Sequence, residues 1–314
     1  MSVKPKIAIA IGDPAGIGPE IAIKASANRE VCAVCEPVLV GDQEVLARYA
    51  HTLRKSSPEN VKDVGIINVN FLTPGESDAS CGRATLEYAG AAVDLALSGA
   101  VDAVVSCPQT QTSINAAGID FDGYPSWVAR RTETDPKSVF MMLVLEKFRI
   151  THVTLHQSLR TALDLIEKSM IVRAILATNE ALKGMGLEQP KIAVSGINPH
   201  AGENGLFGSE ERDIVIPAIQ EVKNGGLNVH GPFGADTMYL DETYDAYVVM
   251  YHDQGHIPAK LLGFDQTAAF VLGTPVLFSS VAHGSALDIA GRGKAKATSL
   301  VWAIKQISNA VSVR

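Results

Sequence analysis

The sequence predicts an α/β fold built on a parallel sheet with helices on both faces. Two observations carry this. Short β-branched apolar runs alternate with longer stretches of helical periodicity, and Gly/Pro-rich turns separate them. A third observation sets the scale: 314 residues, 46% hydrophobic and 19% charged, are enough to bury the core of one large or two ordinary α/β domains.

The elements follow in order. Ile7 to Gly12 reads as a buried parallel strand of continuous small and β-branched residues ending on glycine. Asp13-Pro-Ala-Gly-Ile-Gly-Pro-Glu20 is a turn that opens a helix over 19–27. Pro19 suits the first helical turn and Glu20 complements the helix dipole there. Pro37-Val-Leu-Val-Gly41 repeats the strand signal before a helix over 43–53. Apolar spacing predicts a long helix over 84–98, and Val101 to Pro108 a strand ending at proline. From Val139 the texture changes. Phe140 to Leu145 and Phe148 to Leu155 flank Glu146-Lys147, as in a hairpin. Then come a helix over 158–182, a strand over 191–198, a helix over 209–222 and a strand over 246–251. The loop Ala290 to Lys294 precedes a last helix running to Ser312. No repeat or low-complexity linker marks a domain boundary, so the chain is expected to cross between domains more than once.

Composition narrows the function classes. The net charge is −7, with no basic block or Arg/Lys stripe, which argues against nucleic acid or an anionic membrane as partner. Charges interrupt every apolar stretch before it could span a bilayer, and the first residues lack the apolar core of a signal peptide; a cytoplasmic protein is expected. Of the four cysteines, Cys32 and Cys35 form a Cys-x-x-Cys pair. No second pair stands at zinc-site spacing, so they read as small residues beside a strand.

Three histidines close strand-like runs: His156 in Val153-Thr-Leu-His-Gln-Ser, His200 in Gly196-Ile-Asn-Pro-His-Ala-Gly-Glu, and His252 in Met250-Tyr-His-Asp-Gln-Gly. Ligands of α/β sheets sit at strand ends. Three imidazoles converging there would hold a divalent cation with positions open to substrate, which points to a metal-assisted enzyme. A lone strand-end histidine would more simply be a hydrogen-bonded core residue.

Gly12-Asp-Pro-Ala-Gly-Ile-Gly18 has the wrong spacing for the dinucleotide fingerprint and reads as a tight turn before a helix. Val281-Ala-His-Gly-Ser-Ala-Leu-Asp-Ile-Ala-Gly-Arg-Gly293 is more specific. It resembles the NAD loop of the isopropylmalate and isocitrate dehydrogenases. That resemblance lays His283, Gly284, Ser285 and Ala286 along the adenosine and gives Asp288 the ribose hydroxyls. A carboxylate there repels a ribose phosphate, favouring NAD over NADP.

With Asp13-Pro-Ala-Gly-Ile-Gly-Pro-Glu20, Asn198-Pro-His-Ala-Gly-Glu203, Gly231-Pro-Phe-Gly-Ala-Asp-Thr237, Tyr251-His-Asp-Gln-Gly255 and His283-Gly-Ser-Ala286, the chain resembles the 4-hydroxythreonine-4-phosphate dehydrogenase family over essentially its full length. The resemblance implies a two-domain isocitrate/isopropylmalate dehydrogenase-like α/β fold, with parallel or mixed sheets and a cleft between domains. We expect a NAD-binding domain of residues 1–135 plus 255–314 and a metal, substrate and dimerisation domain of residues 136–254. The resemblance further implies metal ligands at His156, His200 and His252, and a lysine near the substrate at Lys260. It places acidic residues beside the metal at Asp236 and Asp253, and implies a homodimer whose active sites are shared between subunits. The cation expected is zinc, with manganese, cobalt or nickel as other possibilities.

Six positions depart from the family pattern. Its Gly-His-Thr-Glu substrate loop reads Gly123-Tyr-Pro-Ser126. A lysine is replaced by Gln111, a substrate-binding asparagine by Ala269, and a phosphate-binding arginine by Phe278. A phosphate monoester wants guanidinium or ammonium partners, each charge-assisted bond contributing roughly 1.5–3 kcal/mol. The altered set, with His152-Val-Thr-Leu-His156 and His252-Asp-Gln-Gly-His-Ile-Pro258, resembles the branch containing terephthalate dihydrodiol dehydrogenase. Gln111, Tyr124, Pro125, Ala269 and Phe278 are thus expected around the substrate, Tyr124 and Phe278 stacking on a cyclic hydroxy acid. The expected reaction is NAD-dependent oxidation and decarboxylation of a cis-dihydrodiol carboxylate to a catechol-type acid. Alternatives are 4-phosphohydroxy-L-threonine or a four-carbon sugar-acid phosphate as substrate, and a non-catalytic NAD- or metal-binding protein.

Overall fold

The computed structural model describes residues 4–313. Its elements begin with β1 (Lys6–Ala10), α1 (Gly18–Ser26), α2 (Arg29–Val34), β2 (Glu36–Gly41), α3 (Gln43–Thr52) and β3 (Val61–Asp63). Next are α4 (Ala79–Leu97), β4 (Ala103–Ser106), α5 (Gln111–Ala116), α6 (Tyr124–Arg131), β5 (Phe140–Val144) and β6 (Arg149–His152). They continue with α7 (Leu159–Leu165), α8 (Lys168–Gly184), β7 (Lys191–Ser195), α9 (Ile216–Asn224), β8 (Asn228–Phe233) and β9 (Ala246–Val249). The last are α10 (His252–Gly263), β10 (Ala268–Leu272), β11 (Phe278–Val281) and α11 (Thr298–Ser312).

The chain divides into two compact units. One comprises the residues up to Thr132 with Pro275–Ser312, the other Glu133–Thr274. The first crossing falls between Thr132 and Glu133. The second falls after Thr274 rather than at 254/255, because α10 packs on β6 and β9 and β10 pairs antiparallel with β5, Ala268 opposite Val144 and Leu272 opposite Phe140. Lys260 and Ala269 therefore belong to the second unit, not to the unit that carries the 283–288 loop.

In the first unit the strands run β3-β2-β1-β4-β11, all parallel. β1 lies between β2 and β4 and is buried from Ile7 onward, which its unbroken apolar sequence requires. Gly12 follows at φ +70°, and a Cβ there would stand 2.3 Å from the Pro108 carbonyl oxygen, so only glycine fits. Asp13 is fully buried; it accepts from the Ala15 amide at 2.9 Å and the Ser77 hydroxyl at 2.6 Å. Glu20 does more than face the helix dipole. Its buried carboxylate accepts from the Gly293 and Ala295 amides at 3.1 and 2.8 Å and from Lys24 at 2.7 Å, fastening the 290–295 loop to α1.

The second unit is mixed: β10-β5-β6 run antiparallel in turn, and β6-β9-β7-β8 are parallel. The expected hairpin is present, with Val144 opposite Arg149. The helix expected over 158–182 is two helices. Ser158 caps α7 through the Thr161 amide at 3.2 Å, then Glu167 turns extended (φ −128°, ψ 159°) and α8 begins. Ile166, buried at the junction, is what the break tucks into the core. The helix expected from Ser209 starts as a π-turn, Glu211–Val215, before α9. No described helix is long and apolar enough to cross a membrane.

Candidate active site

In the second unit, β6, β9 and β7 are parallel neighbours, and the chain leaving the C-terminal end of each carries one of the three histidines: His156 after β6, His252 after β9 and His200 after β7. Gln254 fastens this edge together. Its buried side-chain oxygen accepts from the Met250 amide (2.8 Å) and the Ser195 hydroxyl (3.2 Å), and its nitrogen donates to the Gly196 carbonyl (2.9 Å). The first turn of α10 is thereby tied to the end of β7, and every polar atom of that side chain is used.

His156 and His252 come together with ring centroids 5.9 Å apart. They line a cavity of about 280 Å³ with Leu155, Gln157, Tyr251 and Asp253. Asp253 reaches Nδ1 of His252 at 2.7 Å. That contact leaves Nε2 as the atom for a ligand, the arrangement in which a carboxylate orients a metal-binding imidazole.

His200 is presented differently. It begins a left-handed turn in which His200, Ala201, Glu203 and Asn204 have φ of 51°, 52°, 41° and 55° around Gly202 at 78°. Its exposed ring stands edge-on to Phe207 at 5.9 Å, and Nδ1 lies 3.6 Å from Glu203. Glu211 holds this turn. Its buried carboxylate accepts from the amides of Ile197 and Asn198, each at 2.7 Å, and from Nδ2 of Asn198 at 3.0 Å. Burial works to raise its pKa, but the Asn198 donors outweigh it and hold the carboxyl below the ordinary glutamate value. Asp236 approaches from the loop after β8: a Cβ on Gly234 would lie 2.7 Å from its carboxylate and 3.7 Å from the His200 Cα.

Among the described residues no group of three His, Cys, Asp or Glu side chains stands assembled to hold a metal ion. His156 and His252 are brought together and His200 is not. The donor chemistry nevertheless fits a divalent cation: imidazoles from one sheet edge, one of them oriented by a carboxylate.

Two further histidines, expected only to be structural or to support the ligands, stand behind His252, His256 against it and His152 against His256. His256, one helical turn along α10, stacks on it with centroids 3.7 Å apart and planes 9° apart. Nδ1 of His256 is 3.1 Å from Nε2 of buried His152. Burial, then the proximity of His252, His156 and Lys260, holds His256 down to about 3, and burial keeps His152 well below the ordinary range, so both rings are neutral. The i, i+4 spacing of His252 and His256 was the available signal. Lys260 continues the row, half-buried, its ammonium 4.8 Å from the Phe264 ring, with its pKa lowered by burial.

In the first unit the 283–288 loop is pinned to the Asp13–Glu20 turn. The Ser285 carbonyl accepts from the Ile17 amide at 2.9 Å, and its hydroxyl accepts from Thr110 at 2.9 Å. A Cβ on Gly16 would press to 2.8 Å from Ser285 Cβ. A Cβ on Gly284 would meet nothing within 4 Å, and Asp288 is exposed. A rigid loop with an open backbone face beside an exposed carboxylate is a fit for a dinucleotide's ribose.

The two rings expected to stack on a substrate are buried instead. Phe278 and Tyr124 are 1% and 8% exposed, so neither ring is free to stack on a substrate. They pack on each other, centroids 5.0 Å apart, with Phe121 at 5.6 Å from Tyr124. The Tyr124 hydroxyl is paired with Ser106 at 2.6 Å, and burial raises its pKa. Ala269 belongs to the core of the second unit with Met141, Leu143 and Tyr247. Gln111 spends its amide on the Phe121 carbonyl at 3.0 Å, and Pro125 lies in the first turn of α6. Phe278, Tyr124 and Ala269 are thus buried, whereas Gln111 is exposed and Pro125 half-buried.

The fold and the strand-end groups together define an α/β enzyme. The family model described as pyridoxal phosphate biosynthetic protein PdxA matches residues 33–307. The chain belongs to the PdxA family. A 1,2-dihydroxy-3,5-cyclohexadiene-1,4-dicarboxylate dehydrogenase of Comamonas sp is 42% identical over 304 residues, 95% of this chain and 96% of that protein. The crystal structure of a 4-hydroxythreonine-4-phosphate dehydrogenase from Klebsiella pneumoniae superposes with a TM-score of 0.88 at 36% identity, covering 98% of this chain and all of that one. A terephthalate 1,2-cis-dihydrodiol dehydrogenase from Burkholderia xenovorans LB400 gives 0.72 at 41% identity, covering 98% of each chain. The protein is an oxidoreductase of this dehydrogenase family.

Proposed function

We propose that the protein oxidises a cyclic cis-dihydrodiol carboxylate with NAD and decarboxylates the resulting keto acid to a catechol-type acid. The observation that carries this is the Tyr124–Phe278 pair. Two buried aromatic rings fill the positions where the family pattern puts histidine and arginine, so no cation is offered there to a phosphate. Identity to the Comamonas relative, at 42%, supports the same substrate class. Nearby arginines do not compensate: Arg131 is clamped by Asp94, and Arg130 donates to the Asp120 carbonyl at 3.3 Å.

His156, His252 and His200 would hold a divalent cation, which stabilises an oxyanion and lowers the pKa of a coordinated hydroxyl. His283, Gly284, Ser285 and Ala286 would hold NAD, with Asp288 accepting from its ribose hydroxyls, and the nicotinamide would supply the hydride acceptor. Lys260, its pKa lowered by burial, accepts the hydroxyl proton as neutral amine, and Asp253 and Asp236 orient the histidine edge. The carbinol C–H leaves as hydride and the O–H as proton, giving a β-keto acid. Its C–CO₂ bond then breaks, the electron pair stays on the ring as enolate, and proton uptake gives the aromatic diol. A homodimer is part of the proposal, supported by apolar side chains exposed in the second unit: Leu240 (82%), Leu261 (83%) and Phe264 (57%).

The test is a substrate panel read by NADH absorbance and product analysis. A cyclohexadiene cis-diol carboxylate should be turned over with release of carbon dioxide. Robust turnover of 4-phosphohydroxy-L-threonine instead would overturn the reading.

A further inference from the structure

The row of histidines behind His252 does nothing in the chemistry just described, yet the sequence goes to some length to build it. His152 ends β6 with 2% of its surface exposed. Its Nε2 occupies the space a side chain at position 255 would need: a Cβ on Gly255 would stand 2.3 Å from that nitrogen, and 2.9 Å from Cε1. His256 is carried on the next turn of α10 and meets His152 edge to edge through nitrogen, 3.1 Å apart. Its face lies flat on His252 at 3.7 Å between centroids.

An imidazole has two soft torsions, and a ligand imidazole must point one nitrogen within about 10–20° of a fixed direction. Asp253 fixes one edge of the His252 ring through Nδ1 at 2.7 Å, but leaves rotation about that contact. A flat neighbour 3.7 Å away removes this freedom only if it cannot turn itself. The buried His152 nitrogen holds it. We propose that His256 and His152 form a positioning pair that fixes the plane of the His252 ring for metal ligation. This rests on the reading of His252 as a ligand. Both act through His252, and Gly255 makes room for them.

The experiment measures zinc affinity by competition with a chelating dye, with the thermal midpoint of the metal-free protein recorded alongside. His252→Ala reports the ligand reading. His256→Leu removes the flat, pinned ring, and His256→Phe keeps a flat ring without the nitrogen contact. Gly255→Ala displaces His152 while leaving all three imidazoles in the sequence. We expect His252→Ala to abolish tight binding. His256→Leu and Gly255→Ala should weaken it on the order of ten-fold, the lower end of the loss seen when supports of metal ligands are removed. His256→Phe should recover part of that loss. A metal-free midpoint in His256→Phe close to the parent's keeps the comparison clear of folding defects. Wild-type zinc affinity in both His256 variants, with binding lost in His252→Ala, overturns the positioning role and leaves the ligand reading standing. Undiminished affinity in His252→Ala overturns both.

Discussion

Tyr124 and Phe278 pack ring against ring, 5.0 Å between centroids, on a helix and a strand far apart in sequence. Their mutual burial is a statement about charge. Phe278→Arg would place a guanidinium where 1% of the residue is exposed, against a Tyr124 ring whose hydroxyl is already paired with Ser106. Several kcal/mol of stability would be lost, as for an unpaired buried charge. We expect Phe278→Arg to lower the thermal midpoint sharply without producing turnover of a phosphorylated hydroxy acid. Differential scanning calorimetry and NADH absorbance check the two halves. A stable variant that turns over the phosphorylated substrate would show that the pocket was intact and lacked only its cation.

Glu211 is predicted to govern the shape of the His200 turn. The left-handed conformation costs roughly 1–2 kcal/mol for each non-glycine residue in it. The three hydrogen bonds to the Glu211 carboxylate oppose that strain. Because the folded-state pKa of Glu211 lies below the ordinary value, its contribution is fully present above that ordinary value and is lost as pH falls through the depressed one. Glu211→Gln should therefore lose about 2 kcal/mol or more at neutral pH, in line with bonds to a charged acceptor. Its stability should also fall less steeply in acid. Urea unfolding at neutral pH and at pH about 4, near the ordinary carboxyl range, measures both; parallel curves for the variant and parent would count against this role.

The strand-end histidines were legible because their neighbours were: β-branched runs identify β6, β7 and β9, and each run stops just before its histidine. The parallel order β6-β9-β7, which puts the three on one edge, was not legible, since pairing between distant strands leaves no local mark. The fates of Phe278 and Ala269 were hidden for a related reason. A residue's alignment with a family's binding position says nothing of which way the strand presents it, and both turn into cores. Glu211 and Gln254 went unnoticed because a buried carboxylate or amide that serves backbone groups looks, in sequence, like any surface polar residue. His256 was more readable than it was read: four residues after His252 on a helix means the same face.

Lys260 lies two helical turns beyond His252, with its pKa lowered by burial. A depressed lysine pKa makes the neutral amine, the form that accepts a proton, available at lower pH than in free lysine. The rate should rise with pH and level off below the ordinary lysine pKa. Lys260→Met should lose roughly 10²–10⁴-fold in kcat, the usual contribution of a positioned acid or base, and should lose the alkaline limb as well. A pH profile of kcat for both proteins decides it. An unchanged limb in Lys260→Met would assign the proton to another group.

Asp288 sits in a short turn, Leu287–Ile289, entered through left-handed Ala286 at φ 41°, and its side chain is exposed. The turn is held by the Ser285 carbonyl on the Ile17 amide, 2.9 Å, so the carboxylate cannot swing away with the loop. A ribose 2′-phosphate bound there would face a like charge. At about 4 Å, with an effective dielectric between water and a protein surface, that repulsion amounts to roughly 1–4 kcal/mol. NAD should therefore be preferred over NADP by about ten-fold or more in kcat/KM. Asp288→Asn removes the charge but keeps a hydrogen-bonding side chain of the same size. It should raise kcat/KM for NADP by about ten-fold while lowering that for NAD, because the ribose hydroxyls lose a charged acceptor. The ratio of the two constants, measured at one low ionic strength, is the decisive quantity, since salt screens an exposed carboxylate. A ratio unmoved by the substitution would place the ribose elsewhere on the loop.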